Sequence, residues 1–168
     1  MRYVDFDGVI LDTEELLFGS LRKLPNYDDL KEEDIVKYLQ DINWRNILNS
    51  SSVINDSLYI LKNSSIDDFI ILTKIHSVDN EGIEKVRYLR ENGIKQNIIL
   101  VPYKAKKSDV VNAKGNILID DCLKNLSEWQ QDNGYPMFFD KNDTNIDSWN
   151  VPNTFGYQRV KKIDEELL

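Results

Sequence analysis

Residues 1–15 read MRYVDFDGVILDTEE. The segment from Arg2 to Phe6 predicts a short buried strand, and Asp5 and Asp7 flank Phe6 at its end. Two carboxylates so close together repel each other, and holding both at a strand terminus costs free energy unless something offsets the repulsion. Gly8 follows at once and allows the chain to turn sharply.

Beyond that turn the pattern changes. From Asp12 to about Lys62, apolar residues including Leu16, Leu17, Leu21, Ile35, Tyr38, Leu39, Ile42, Ile47, Leu48, Leu58 and Leu61 fall near helical spacing among acids and amides. We read this stretch as several short helices without a strand, with Pro25 as an interruption and Asp28, Asp29 and Asp34 as helix starts. Asp12 with Glu15 three residues on fits a capping box.

Strand character then returns. Phe69-Ile-Ile-Leu-Thr73 and Asn97-Ile-Ile-Leu-Val101 are apolar and β-branched, as strands covered on both faces should be. Between them a helix runs from about Asp79 to Asn92. Ile117-Leu-Ile119 ends in Asp120-Asp121, a helix from about Leu123 to Gln131 follows, and Pro136-Met-Phe-Phe139 is a further strand. Strands alternating with helices call for an α/β domain, a Rossmann-like parallel sheet with helices on both faces. Residues 1–11 and 63–168 would form this core, and residues 12–62 a small helical cap inserted after the first strand. The tail from about Asn142, including Trp149, carries no clear pattern.

In a parallel sheet the carboxyl ends of the strands share one edge. That edge would gather Asp5, Asp7, Thr73, Asp120 and Asp121, together with the loop carrying Lys104, Lys106 and Lys107. Singly, each has an ordinary explanation: an aspartate pair is commonly turn chemistry, and a strand-end threonine a turn residue. Their order is more specific. DFDG after an apolar strand, FIILT ending in Thr73, a lysine in KKSDVV and ILIDD together resemble the four motifs of the haloacid dehalogenase (HAD) superfamily. The lysine is placed at Lys107 by its distance from ILIDD, with Lys104 and Lys106 as alternatives. ILIDDCLKNLSEW, with Asn125 and Trp129, and Glu84-Lys85 in the preceding helix are similar to the 5'(3')-deoxyribonucleotidase branch. Lys74 departs from that branch, which commonly has a small residue after the threonine.

The resemblance implies a Mg²⁺-dependent phosphatase acting on a small phosphomonoester, a 5'(3')-deoxyribonucleotide in the first instance, through an aspartyl-phosphate. Asp5 would be nucleophile, and Asp7 acid and then base. Thr73 and Lys107 would hold the phosphoryl oxygens. Asp5, Asp120 and Asp7, the last through its backbone carbonyl, would bind the metal, and Asp121 would orient a metal-bound water. Phe18, Tyr38 and Trp44 from the cap would sandwich a base, unless they pack the cap's own core, and Lys74 is a further substrate contact. Another small phosphorylated metabolite is the alternative substrate, and a catalytically idle binding module the alternative function. A dehalogenase fits less well, since its first motif usually lacks the acid that Asp7 supplies.

Composition narrows the partners. The 168 residues carry a net charge of -8, with 41% hydrophobic and 30% charged residues. That is the balance of a globular protein and the wrong sign for a broad grip on long nucleic acid. One cysteine, Cys122, excludes an intrachain disulfide and fits a reducing compartment. No apolar run approaches the roughly 20 residues of a membrane span, and the first strand begins without a leader. The expectation is a cytoplasmic protein without membrane contact, as a monomer or a homodimer.

Overall fold

In a computed structural model of the chain, the described residues are 1–142, 156–166 and 168. Eight strands are present among them: β1 (Arg2–Val4), β2 (Leu11–Asp12), β3 (Ser52–Val53), β4 (Phe69–Ile75), β5 (Asn97–Pro102), β6 (Ile117–Asp120), β7 (Tyr135–Phe139) and β8 (Gln158–Val160). The α-helices are α1 (Glu14–Gly19), α2 (Glu32–Asp41), α3 (Trp44–Ser50), α4 (Ser57–Asn63), α5 (Ile83–Glu91) and α6 (Leu123–Gln131). Six strands form one sheet in the order β5-β4-β1-β6-β7-β8, and every pairing in it is parallel. Parallel neighbours need crossovers, and α5 and α6 supply two of them, between β4 and β5 and between β6 and β7.

β1 lies at the centre because it is apolar on both sides. Val4 is in register with Ile71 of β4 and Ile119 of β6, and Tyr3 with Ile70 and Leu118. Side-chain alternation sends these two rows to opposite faces. The Val4 row joins Phe6, Leu89, Trp44 and Leu48 in one buried cluster, and the Tyr3 row joins Leu72, Val101, Leu126 and Trp129 in another. Trp129 donates to the Asn116 carbonyl at 3.0 Å and meets Tyr3 edge-on with centroids 5.3 Å apart. The two layers of helix over one sheet follow from these two apolar faces.

Several local expectations are corrected. The stretch after Asp12 is not wholly helical: β2 pairs antiparallel with β3, Leu11 with Val53 and Asp12 with Ser52, and this pair closes the neck of the insertion holding α1, α2 and α3. Asp12 therefore lies in a strand and is bonded by Lys141 Nζ at 2.7 Å instead of capping α1. Thr13 occupies the cap position, its carbonyl accepting from the Leu17 N–H at 2.9 Å but its side chain making no bond to the helix. Of the acids expected to start helices, Asp28 and Asp29 lie in a 3₁₀ turn (Tyr27–Asp29), and helix α2 begins at Glu32, two residues before Asp34, which accepts from the Lys31 backbone at 3.0 Å. The helix expected from Asp79 begins instead with a wider turn at Val78–Gly82. The tail contributes β8, in register with β7 from Met137↔Gln158 to Phe139↔Val160. Trp149 and the rest of 143–155 lie outside the described residues. Among the described residues no helix is long and apolar enough to cross a membrane.

Candidate active site

The carboxyl ends of β1, β4 and β6 meet where β1 gives way to a tight loop. Phe6 accepts from the backbone N–H groups of Ile10 and Leu11, at 2.9 and 3.1 Å, and Gly8 N–H donates to Leu11 at 2.8 Å. This closure needs a left-handed residue, and Gly8 has φ of +74°. It also needs space: a Cβ on Gly8 would stand 2.0 Å from Asp121 Oδ2. The loop after β1 and the acids after β6 are thus in direct contact.

Asp5 continues the line of β1, its N–H bonded to the Ile119 carbonyl at 3.0 Å. Asp120 ends β6 and is fully buried. Between them lies the ammonium of Lys107, 2.9 Å from Asp5 Oδ1 and 2.6 Å from Asp120 Oδ2. Lys107 is itself buried, in a single 3₁₀ turn (Lys107–Asp109). Asp120 is further fixed by Asn125 Nδ2 at 3.0 Å and by the Cys122 N–H at 2.8 Å. Cys122 itself is exposed.

Asp5, Asp120 and Asp121 each offer an oxygen within 4.8 Å of the other two. Burial pushes Asp5 up to about 6, helped by the Asp120 and Asp7 charges and opposed by Lys107. Asp121 reaches solvent, yet loss of hydration on its inner side and the charges of Asp120 and Asp5 push it up to about 8. The Lys107 ammonium is raised although burial works against it, because Asp120 and Asp5 outweigh that loss. An all-oxygen donor set with an excess of negative charge suits a hard divalent cation such as Mg²⁺.

Asp7 turns away from this group. Its Oδ1 accepts from the Thr13 hydroxyl at 2.8 Å, and its Oδ2 faces Lys85 Nζ at 2.5 Å. Lys85 is fully buried in α5 and also donates to Thr73 Oγ1 and the Lys74 carbonyl, each at 3.2 Å, and to Glu81 Oε1 at 2.7 Å. Thr73 is fully buried inside β4, which continues two residues past it to Ile75. Thr13 therefore spends its hydroxyl on Asp7, which is why α1 has no side-chain cap.

Of the expected residues, the fold brings Asp5, Lys107, Asp120 and Asp121 into one cluster and links Asp7 to Thr73 through Lys85. It places the Asp7 carboxylate outside the three-acid cluster and Asp121 within it. Lys104 is exposed and lies over the Tyr103 ring at 5.6 Å, while Lys106 pairs through its backbone with Asp109. Lys74 points to Glu128, 3.9 Å away. The aromatic residues of the insertion mostly face inward. Trp44 is 1% exposed and donates to the Leu39 carbonyl at 2.7 Å, leaving it no face for a ligand. Tyr38 donates to the Leu17 carbonyl at 3.2 Å, and Phe18 packs half-buried against the core.

Three contributors, Glu81, Lys85 and Thr13, were not legible in these roles. Glu81 and Lys85 are four apart, a spacing that normally marks a solvated helix pair, and only their burial shows otherwise. Thr13 carries no signal of its own beside Asp12, to which the helix cap was assigned. The Glu84-Lys85 resemblance singled out Lys85 without giving it this role, and no short motif marks Glu81 or Thr13.

The sheet order and its parallel pairings make a HAD-like α/β fold, and solved structures share it. A phosphonoacetaldehyde hydrolase-like protein from Oleispira antarctica superposes with TM-score 0.59 at 11% identity, covering 96% of this chain and 87% of that one. A HAD phosphatase from Thermococcus onnurineus gives 0.55 at 11%, covering 96% and 93%. A HAD-hydrolase from Bacillus subtilis, bound to magnesium, gives 0.55 at 14% with the same coverage. Neither a family model nor a curated protein sequence matches the chain.

Proposed function

We propose that the protein is a Mg²⁺-dependent phosphatase that hydrolyses a small phosphomonoester, with a 5'(3')-deoxyribonucleotide as first choice, through an aspartyl-phosphate. The observation that carries this reading is the Lys107 ammonium held between Asp5 and Asp120 beside Asp121, all at the strand ends. A cluster with more carboxylates than cations is costly unless it serves a charged ligand.

Asp5, Asp120 and Asp121 would hold the cation together with the Asp7 carbonyl. Bound there, it would supply the positive charge that lets a carboxylate approach a phosphoryl group. Asp5 Oδ attacks phosphorus and the leaving oxygen departs with a proton from Asp7. Asp7 then takes a proton from the water that splits the acyl-phosphate. Lys107 and Thr73 bear on the phosphoryl oxygens where charge builds up. The Thr13 and Lys85 contacts fix the orientation of the Asp7 carboxylate through both oxygens.

A second reading keeps the chemistry and changes the leaving group. Trp44 and Tyr38 are committed to the interior, which leaves Phe18 and Lys74 for substrate and favours a smaller phosphorylated metabolite. The test is Asp5→Asn against wild type, assayed on deoxynucleotides and sugar phosphates with Mg²⁺. Full activity in the variant would sink the mechanism. Wild-type turnover confined to sugar phosphates would sink the nucleotide assignment alone.

A further inference from the structure

Lys85 and Glu81 are buried ions that the proposed chemistry does not itself consume. Lys85 is 0% exposed and Glu81 1%. Each is costly alone, and a buried pair is retained only where its geometry is fully satisfied. Here it is. The Lys85 ammonium has four oxygen partners, on Asp7, Thr73, Lys74 and Glu81. It also sits over two aromatic rings, Phe6 at 5.3 Å and Trp44 at 5.2 Å. Glu81 gives one oxygen to Lys85 and the other to His76, whose backbone N–H lies at 2.7 Å and Nδ1 at 3.0 Å. The wide turn Val78–Gly82 is what aims Glu81 inward, and Ser77 Oγ anchors that turn by accepting from the Glu81 N–H at 3.1 Å.

This arrangement is a chain of contacts from the surface to the proton-handling acid: His76, Glu81, Lys85, then Asp7 and Thr73. His76 stacks on Tyr103 with centroids 5.1 Å apart, which holds its ring in place. We propose that Glu81 is a positioning residue, which fixes the Lys85 ammonium so that it bridges the Asp7 carboxylate and the Thr73 hydroxyl, and which is itself set by His76. The role rests on the phosphatase reading for its effect on rate, but the placement of Lys85 does not. Burial would strip the proton from Lys85, yet the Asp7 and Glu81 charges outweigh it and hold the group cationic. Burial likewise works against ionised Glu81, and the Lys85 charge with the His76 bonds prevails. Without the Glu81 charge, Lys85 has one carboxylate fewer to balance its burial and a flexible stem on which to leave the bridge.

The test uses Glu81→Gln, which keeps the shape and one hydrogen bond but removes the charge. With p-nitrophenyl phosphate and Mg²⁺, kcat should fall about tenfold, a fraction of what acid–base catalysis contributes, while KM stays within about twofold because Glu81 makes no substrate contact. His76→Ala, a change near the surface, should give a smaller fall of the same kind. Unchanged kcat in both, or a raised KM with kcat held, overturns the proposal. If Glu81→Gln does not fold, His76→Ala decides by the same criteria. A crystal structure of the variant that folds gives a readout independent of turnover. Lys85 Nζ still in contact with both Asp7 Oδ2 and Thr73 Oγ1 overturns the positioning role, whereas its departure from either supports it. Wild-type protein that turns over no phosphomonoester defeats the phosphatase reading, and the same structure still decides the placement of Lys85.

Discussion

The ammonium of Lys107 lies 2.9 Å from Asp5 Oδ1, with both side chains buried at the carboxyl edge of the sheet. The contact joins the first strand to a loop far along the chain, and it leaves Lys107 the principal cation facing three clustered acids. Lys107→Met keeps length and removes charge. Activity on p-nitrophenyl phosphate should drop about a hundredfold or more, the usual loss for one group that stabilises transition-state charge. Thermal unfolding should show destabilisation of about 3 kcal/mol near neutral pH, since an unpaired buried carboxylate replaces a paired one. The loss of stability should shrink in acid, where the acids protonate.

Asp5 and Asp121 predict the pH dependence of the metal-free protein. Both bind a proton more tightly folded, at about 6 and about 8, than at the ordinary value of 3.8. The folded chain therefore carries more protons than the unfolded one in this interval, and stability falls as pH rises. The contribution is complete below 3.8 and is lost as pH passes through 6 for Asp5 and 8 for Asp121. In EDTA, the melting temperature should be lower at pH 8 than at pH 6. Mg²⁺ should raise it more at the higher pH, because fewer protons compete for the same oxygens. A Mg²⁺ effect equal at both pH values would remove these two acids from the metal site.

Much of this was legible because the sheet is parallel and central. Runs such as Phe69–Leu72 and Ile117–Ile119 are apolar on both faces, so strand identity and the edge that gathers the candidate site residues followed from sequence. Asp5, Thr73, Lys107 and the Asp120-Asp121 pair mark the same edge. Residues whose roles depend on burial were not legible. Lys85 stood out only as half of Glu84-Lys85, without a role, and only Phe6 and Trp44 closing over it exclude water. The two-residue strands β2 and β3 are too short for any periodicity, and they exist because the insertion must return to where it left. Asp12 was misread for the same reason: a polar residue before a helix suggests a cap until its backbone is found in a strand.

Gly8 gives a backbone prediction. With φ at +74° and Asp121 Oδ2 2.0 Å from the site of a Cβ, Gly8→Ala must both strain the loop and displace Asp121. The conformational part alone costs about 1 kcal/mol. The displaced acid should weaken Mg²⁺ binding, measured by calorimetry, by about tenfold or more, the scale of losses when an oriented ligand is disturbed. Wild-type Mg²⁺ affinity in a folded Gly8→Ala protein would show that Asp121 does not reach the ion.

Trp44 separates packing from recognition. Its ring is 1% exposed, its Nε1–H donates to the Leu39 carbonyl at 2.7 Å, and it covers Lys85 at 5.2 Å. Asn80 Nδ2 ties the end of α2 to the core through the Gln40 and Ile42 carbonyls at 2.9 and 2.8 Å, so Trp44 sits at a fixed seam between insertion and sheet. Trp44→Phe removes the N–H, strands the Leu39 carbonyl and leaves a small void. The expected loss is about 2 kcal/mol of stability, seen in denaturant unfolding as a lower midpoint at unchanged slope. The KM for whichever phosphomonoester proves to be the substrate should change less than about twofold, because a side chain without exposed surface contributes no binding that truncation could remove. A KM raised tenfold without loss of stability would instead place the ring against the leaving group, and would restore Trp44 to the role its aromatic character first suggested.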